Sequence, residues 1–583
     1  MSARAYKMET MNFRKTISSL GVRFWMAISA AKILAAGFLI AGTLGFLWHD
    51  RDPFLWPNVP PHPLLNVALG WYKGVFSTAR SLFDHSPTNG LIYSAVCVGC
   101  VLAVFAIPFV SNLIARCVLS AWLLFGTGYD LSMFDISGDM PSFWLTQTIL
   151  VNAWYGIQGT AQAYLGVIAP DLAMVTISFV IFCLPPPRLA GMSRYLPAVV
   201  TISAVTGVLG ILAATNGYTS VFPSPFESYI NAVKVARGVG QQMQFRSVEY
   251  DGKLTSPFRK IVLVVDESVR GDYLSLNDPS IETTPFLVSQ RQSISNFGVA
   301  VSGSNCSVVS RMMLRFGLQE SDLVGRTQIR FPGPTIWQYA KRAGFQTVFV
   351  DSYGSATRLV HGITETEQAF MDRHVMADDL PQYLRDVNTA QRLRDLLSDP
   401  APMFILVEKL GVHIPYNAQY PRTENVFHAK HDLDFDPTDR ANLIVQYRNA
   451  IRWSVDGFFE RLLREPMPAD TLLIYTSDHG QALAENNRLQ SHCSQGALAI
   501  RQEANVPLFA ITTNAEWQEI LSQAATRNHD RASGLDIFAT LLQAMGYDTE
   551  WIAARFPHSL TWGITRDRIR IFWAEMQVRE YDE

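Results

Sequence analysis

The sequence predicts a two-part chain: an N-terminal α-helical membrane domain of about five spans, then a C-terminal α/β domain with a mostly parallel central sheet. Three observations carry this expectation. Five apolar segments lie in residues 1–215. No Lys or Arg occurs between Arg116 and Arg188, as expected of chain lying in or against a bilayer. Beyond residue 258, short β-branched runs alternate with helical stretches, the pattern of strands and crossover helices.

The apolar segments run over 24–48, 91–111, 115–130, 168–186 and 195–215, the third and fourth barely long enough to span. The stretch 145–167 is apolar with polar residues at helical intervals, which reads as an interfacial helix, with a sixth span as the alternative. Arg4, Lys7, Arg14, Lys15 and Arg23 precede the first segment, Arg116 lies between the second and third, and Arg188 and Arg194 between the fourth and fifth. The positive-inside rule then puts the N-terminus in the cytoplasm and the chain after 215 outside, although Arg51, Lys73 and Arg80 lie in the first outer loop. The first segment is too long, and lacks the small-residue site, for a cleavable signal peptide.

Residues 224–244 read as a juxtamembrane helix and linker, which divides the chain into a membrane domain (1–215), a linker (216–257) and an outer domain (258–583). In the outer domain the strand candidates are KIVLVVDE (260–267), QTVFVDS (346–352), PMFILVEKL (402–410), TLLIYTSD (471–478) and VPLFAIT (506–512). Helices are expected at 335–344, 441–463 and 534–546. A net charge of −3 over 583 residues gives no reason to expect nucleic acid as a partner. No G-x-x-x-x-G-K-[ST] occurs, so ATP-dependent transfer has no support. Of six cysteines, Cys97, Cys100, Cys117 and Cys183 lie in or beside apolar segments; only Cys306 and Cys493 lie in the outer domain.

Reactive groups of open α/β sheets gather at the carboxyl ends of strands. The run at 260–267 ends in Asp266–Glu267, and the run at 471–478 leads into Asp478–His479–Gly480. Glu267, Asp478 and His479 offer two oxygens and one nitrogen, a set suited to Zn²⁺, with Mn²⁺ as the other candidate, better than to all-oxygen Ca²⁺. A serine hydroxyl in the remaining coordination position would be activated as a nucleophile. The stretch SGSNCSVVSRMM (302–313) offers such hydroxyls, and His413 and His492 follow strand-like runs where they could protonate a leaving oxygen or bind a phosphate.

Taken together these blocks resemble the membrane-anchored phosphoethanolamine transferases of Gram-negative envelopes, of the alkaline phosphatase and sulfatase superfamily. ESVRGDYLSLN with TTPFL resembles the family's first-strand motif and its sequel, SDHGQALAEN its SDHGESLGEN, and GVHIPYNAQYP its GNHGP segment. The resemblance implies an alkaline-phosphatase-like outer domain in the periplasm of a multi-pass inner-membrane protein. It puts Ser307 in the place of the nucleophilic threonine and makes Glu267, Asp478 and His479 zinc ligands. His413 and His492 fall on histidines around the substrate phosphate. The implied reaction passes phosphoethanolamine from phosphatidylethanolamine, through a phospho-serine, to lipid A, core oligosaccharide or another envelope glycan; the protein is expected to act as a monomer.

Two departures accompany the resemblance. The family's cysteine pair around the nucleophile is replaced by Gly303 and Met313, and its D-N-N-S-D-S-K segment reads DSYGSATR (351–358). With Cys306 beside the nucleophile and Cys493 beside His492, the alignment implies a disulfide across the site. The alternatives are a phosphoglycerol transferase on the same metal site, or a sulfatase-type hydrolase in which Ser307–Arg311 stands for C/S-x-P-x-R and Asp266–Glu267 for a calcium-binding acid pair. A scaffold that has lost turnover is the reading outside enzymes.

Overall fold

The computed structural model describes residues 23–37, 87–137, 164–187, 191–214, 229, 232–233, 245–319, 322, 333–353, 362–376, 380–430, 435–487, 489, 491–494, 499–564, 569–572 and 578–581. The chain divides into two compact units, Met1–Thr146 with Leu165–Arg237, and Gln147–Tyr164 with Gly238–Glu583.

The first unit is helical. Helices cover 23–37, Pro87–Ala106, Leu113–Ser137, 164–183 and Leu196–Ala214, so each predicted apolar segment contains helix. Among the described residues, two helices, Gly90–Phe109 and Tyr164–Cys183, are long and apolar enough to cross a membrane. The expected interfacial helix lies outside the described residues up to 163, as does most of 224–244. Two buried cations hold helix ends together. The Lys32 ammonium donates to the carbonyls of Pro108 (2.6 Å), Phe182 (3.1 Å) and Leu184 (2.5 Å), and Arg116 donates to those of Val110 (2.6 Å) and Cys183 (3.1 Å). These carbonyls lie at helix C-termini, where no intrahelical donor is left and a cation is favoured.

The second unit is built on a seven-stranded sheet. Its strands are β1 (Lys260–Asp266), β2 (Ile294–Val301), β3 (Gln346–Asp351), β4 (Arg373–Met376), β5 (Met403–Glu408), β6 (Thr471–Ser477) and β7 (Asn505–Thr512), in spatial order β2-β7-β6-β1-β5-β3-β4. β1 pairs in parallel with β5 and β6, and β3 with β4 and β5. β7 runs antiparallel to both β6 and β2. The sheet is thus mixed, with one reversed strand. Strands β1, β5 and β6 are buried along their whole length, which explains their unbroken apolar sequences.

All five expected strands form; β2 and β4 had no signal. The run ISNFGVAV carries Ser295, Asn296 and Gly298 and is interrupted by a register shift between Asn296 and Val299, while β4 is four residues long. The helix expected at 441–463 forms as Arg440–Ile451 and Gly457–Leu462, joined by a π-turn at Arg452–Asp456. One core cluster runs through the unit, with Trp337 against Phe349 and Phe404 at its centre. It fixes the strand ends on which the site is built.

Candidate active site

Register decides where the ligand set forms. Asp266 of β1 is opposite Ser477 of β6, so the residues that follow them, Glu267 and Asp478, leave adjacent parallel strands side by side. The turn after β1 puts Ser268 in the left-handed region at φ 60°, unusual for a residue with a side chain. It is held there by bonds from the Ser268 amide to Asp478 Oδ1 (3.2 Å), from the Val269 amide to Ser477 Oγ (2.9 Å), and from the Tyr447 hydroxyl to the Ser268 carbonyl (2.7 Å).

Glu267, Asp478 and His479 are all buried, and one ligand atom of each lies within 4.8 Å of the others. Ser307 opens the helix Ser307–Phe316. Its hydroxyl is 3.0 Å from His479 Nε2 and 3.3 Å from Glu267 Oε1. Nδ1–H of His479 donates to the Gly480 carbonyl (2.6 Å), which leaves Nε2 as the nitrogen facing the carboxylates. Gly480 lets another stretch of backbone come close. A Cβ there would lie 2.2 Å from the Gln502 carbonyl, so the glycine admits the neighbouring chain.

His413 and His492 join the same site. The His492 ring stacks on His479 with centroids 4.3 Å apart, and His413 meets His492 edge-on at 6.1 Å. Nδ1–H of His413 donates to the Ile414 carbonyl (2.7 Å). Cys306 and Cys493 form a disulfide with a Cα–Cα distance of 4.6 Å, which ties the residue before Ser307 to the residue after His492.

Three further participants complete the site, of which Arg311 was legible as the Arg of the sulfatase-type pattern while Tyr353 and Glu408 had no clear signal. Arg311, one turn after Ser307, hydrogen-bonds Glu267 Oε2 and Asp478 Oδ2 and is ion-paired with Glu408 Oε2, each at 2.9 Å. The Tyr353 hydroxyl donates to Glu267 Oε2 (2.8 Å); it belongs to the segment that departs from the family's pattern, and residues 354–361 lie outside the described residues. Glu408 also meets Arg315, which bonds Glu367. A second signal is Arg311 and Arg315 four residues apart in an otherwise apolar helix, since buried charges require partners.

This site suits a divalent cation. Four buried carboxylates, Glu267, Glu367, Glu408 and Asp478, face two guanidiniums, Arg311 and Arg315, an excess of two negative charges. Burial works against a charge on His479, but Asp478 and Glu267 raise it to about 9. Burial likewise opposes ionisation of Glu267, yet His479 and Arg311 hold it well below the carboxylate range. Without a cation, a proton on His479 offsets part of the excess; a metal would replace it. Metal uptake at about pH 7.5 is therefore expected to release about one proton, and affinity should rise with pH until His479 is deprotonated. Calorimetric titration in buffers of different ionisation enthalpy measures this, and uptake without proton release would exclude Nε2 as a ligand. His492 is neutral: burial and the neighbouring His479 charge push it well below the usual histidine value.

Asp266, the other half of the calcium-type acid pair, is committed elsewhere. Its Oδ2 accepts from Lys409 Nζ (2.5 Å) and the Tyr475 hydroxyl (2.8 Å), and its Oδ1 from the Glu267 amide (3.1 Å). Among the described residues, the group able to hold a metal is Glu267, Asp478 and His479.

A family model described as Sulfatase matches residues 259–547, the stretch that carries all of these groups. Over those residues the chain is similar to the sulfatase family. Over 310 residues the chain is 25% identical to phosphoethanolamine transferase EptC of Escherichia coli strain K12, an alignment covering 50% of this chain and 52% of EptC. It is 23% identical over 384 residues to phosphatidylethanolamine transferase Mcr-1 of Escherichia coli, covering 58% of this chain and 67% of Mcr-1. The match thus spans about half the length of EptC. Among solved structures, the integral membrane protein lipooligosaccharide phosphoethanolamine transferase A (EptA) from Neisseria meningitidis is similar with a TM-score of 0.60 and 17% identity, over 88% of this chain and 95% of that one. At that identity the likeness concerns the fold. It reaches beyond residues 259–547 and supports a transmembrane region in the N-terminal helices.

Proposed function

We propose that this protein is a multi-pass inner-membrane enzyme whose sulfatase-like domain lies in the periplasm. It transfers phosphoethanolamine from phosphatidylethanolamine to lipid A, core oligosaccharide or another envelope glycan. The observation that carries the reading is the convergence of the Ser307 hydroxyl on His479 Nε2 and Glu267 Oε1 at the junction of β1, β6 and the helix Ser307–Phe316. The names of EptC and Mcr-1 supply the substrate class.

Glu267, Asp478 and His479 would hold zinc. When bound there, it would lower the pKa of the Ser307 hydroxyl and offset charge developing on the phosphate oxygens. Ser307 Oγ bonds to phosphorus while the phosphorus–oxygen bond to diacylglycerol breaks. The proton lost by the serine ends on the diacylglycerol hydroxyl, and neutral His492 is the group suited to relay it. In the second step the acceptor oxygen attacks the phosphoethanolamine-serine, and its proton returns to Ser307. With Nδ1–H of His413 committed to a carbonyl, a bond to a phosphate oxygen would come from a protonated Nε2. The disulfide holds the Ser307 and His492 segments in one arrangement. Embedding the same polypeptide in the bilayer raises the effective concentration of a lipid donor. Ethanolamine phosphate on an anionic glycolipid lowers its net negative charge and weakens attraction for cationic peptides.

The test uses full-length protein in lipid–detergent micelles with zinc and phosphatidylethanolamine labelled in an acyl chain. Labelled diacylglycerol should form, and an added lipid A acceptor should gain phosphoethanolamine. Turnover of phosphatidylglycerol in place of phosphatidylethanolamine would move the assignment to phosphoglycerol transfer.

A further inference from the structure

On each ligand carboxylate the two oxygens meet different partners, and one of them lies toward His479. On Glu267, Oε1 lies 3.3 Å from Ser307 Oγ and 3.2 Å from His479 Nε2. Its Oε2 is taken by Arg311 (2.9 Å) and the Tyr353 hydroxyl (2.8 Å). On Asp478, Oδ1 lies 3.8 Å from His479 Nε2 and accepts the Ser268 and His479 amides. Its Oδ2 is taken by Arg311 Nε (2.9 Å). A single guanidinium therefore occupies the outer oxygen of both ligands.

That guanidinium is itself fixed. Its third nitrogen is ion-paired with Glu408 at the end of β5 (2.9 Å), and the Arg311 side chain is 1% exposed. Glu408 in turn meets Arg315, and Arg315 bonds Glu367, which also accepts from the Trp337 indole. The fork is thus braced by the strand next to β1 and by a buried ion chain along the underside of the helix that presents Ser307. An ammonium at this place could not hydrogen-bond two carboxylates in one plane in fixed directions while pairing with a third.

We infer that Arg311 is the positioning residue of the metal centre: it caps the outer oxygens of Glu267 and Asp478 so that each carboxylate offers the metal one oxygen. Two consequences follow. The coordination number stays low, which leaves a place for the Ser307 oxygen. The nucleophile and the ligands are also set by one helix, since Arg311 lies one turn from Ser307 and faces the same carboxylates. This inference rests on the reading that Glu267, Asp478 and His479 hold a metal.

The experiment compares full-length wild-type protein with Arg311→Lys, which keeps the charge and loses the fork. Zn²⁺ affinity is measured by competition with a chromophoric chelator, and the visible spectrum is recorded with Co²⁺ in place of zinc. Arg311→Lys is expected to bind Zn²⁺ roughly 10- to 100-fold more weakly, the range seen when partners of metal ligands are removed. Its Co²⁺ bands should lose intensity as freed oxygens raise the coordination number, while the metal-free melting temperature reports on folding alone. Wild-type affinity with an unchanged Co²⁺ spectrum would overturn the inference and leave the metal reading intact. Failure of the wild-type protein itself to bind Zn²⁺ would overturn both. If Arg311→Lys does not fold, Glu408→Gln carries the test, because it frees one end of the fork and leaves both caps in place. A several-fold loss of Zn²⁺ affinity then supports the inference, and wild-type affinity overturns it.

Discussion

Replacing Ser307 by Ala is expected to lower the release of diacylglycerol from phosphatidylethanolamine by roughly 10³-fold or more, the scale of loss when a covalent nucleophile is removed. The variant keeps Glu267, Asp478, His479 and the Arg311 fork, and Ser307 lies at the N-terminus of its helix with its hydroxyl as the only atom lost. Zn²⁺ should therefore still bind through Glu267, Asp478 and His479, and the melting temperature should stay near wild type. That split separates loss of the reacting group from loss of the site. A Ser307→Ala protein within about tenfold of wild-type activity would mean that Ser307 is not the attacking group.

The second large effect concerns stability. Lys409 is fully buried beneath the site, bonded to Asp266 Oδ2 (2.5 Å) and the Ser454 carbonyl (2.8 Å), with Phe458 below its ammonium at 4.7 Å. Lys409→Met leaves Asp266 as a buried carboxylate without its cation, at a cost of about 3–5 kcal/mol. Burial already pushes Asp266 up to about 6, against the pull of Lys409. Without Lys409 its folded value rises further above the unfolded one. The deficit should then be full above that raised value, shrink as pH falls from it toward 6, and level off below about 6, where Asp266 is protonated in both proteins and needs no cation. Thermal melting across that range checks this. Adding Asp266→Asn to Lys409→Met should recover much of the loss, and a double variant no more stable than Lys409→Met would show that the cost arises elsewhere.

Legibility in the sequence followed physical cause. The strands that carry the site, β1, β5 and β6, are buried on both faces, so they appear as unbroken apolar runs with acids at their carboxyl ends. Glu267, Asp478 and His479 were readable for that reason, and Ser307 by the resemblance of the blocks around it. His413 and His492 stood beside strand ends, and only the fold stacks the His492 ring on His479 and sets the His413 ring edge-on to His492. β2 was illegible because Ser295, Asn296 and Gly298 break its apolar pattern where the register shifts. Arg311 was legible only as the last residue of the sulfatase-type pattern, and Tyr353 and Glu408 were illegible as site residues, because their role is a relation between β3, β5 and the helix Ser307–Phe316 that no local pattern encodes. The number of membrane spans is the expectation on which the described helices speak least, since only Gly90–Phe109 and Tyr164–Cys183 meet the length and hydropathy of a span among the described residues.

The central claim is that phosphoethanolamine passes through Ser307. Full-length protein with zinc and phosphatidylethanolamine, but no acceptor, should accumulate the intermediate. Mass spectrometry of the peptide containing Ser307 then reads the outcome. The account predicts a mass increase equal to one phosphoethanolamine on Ser307, lost when lipid A is added. An unmodified Ser307 in protein that still releases diacylglycerol, or a Ser307 converted to an aldehyde, would contradict it.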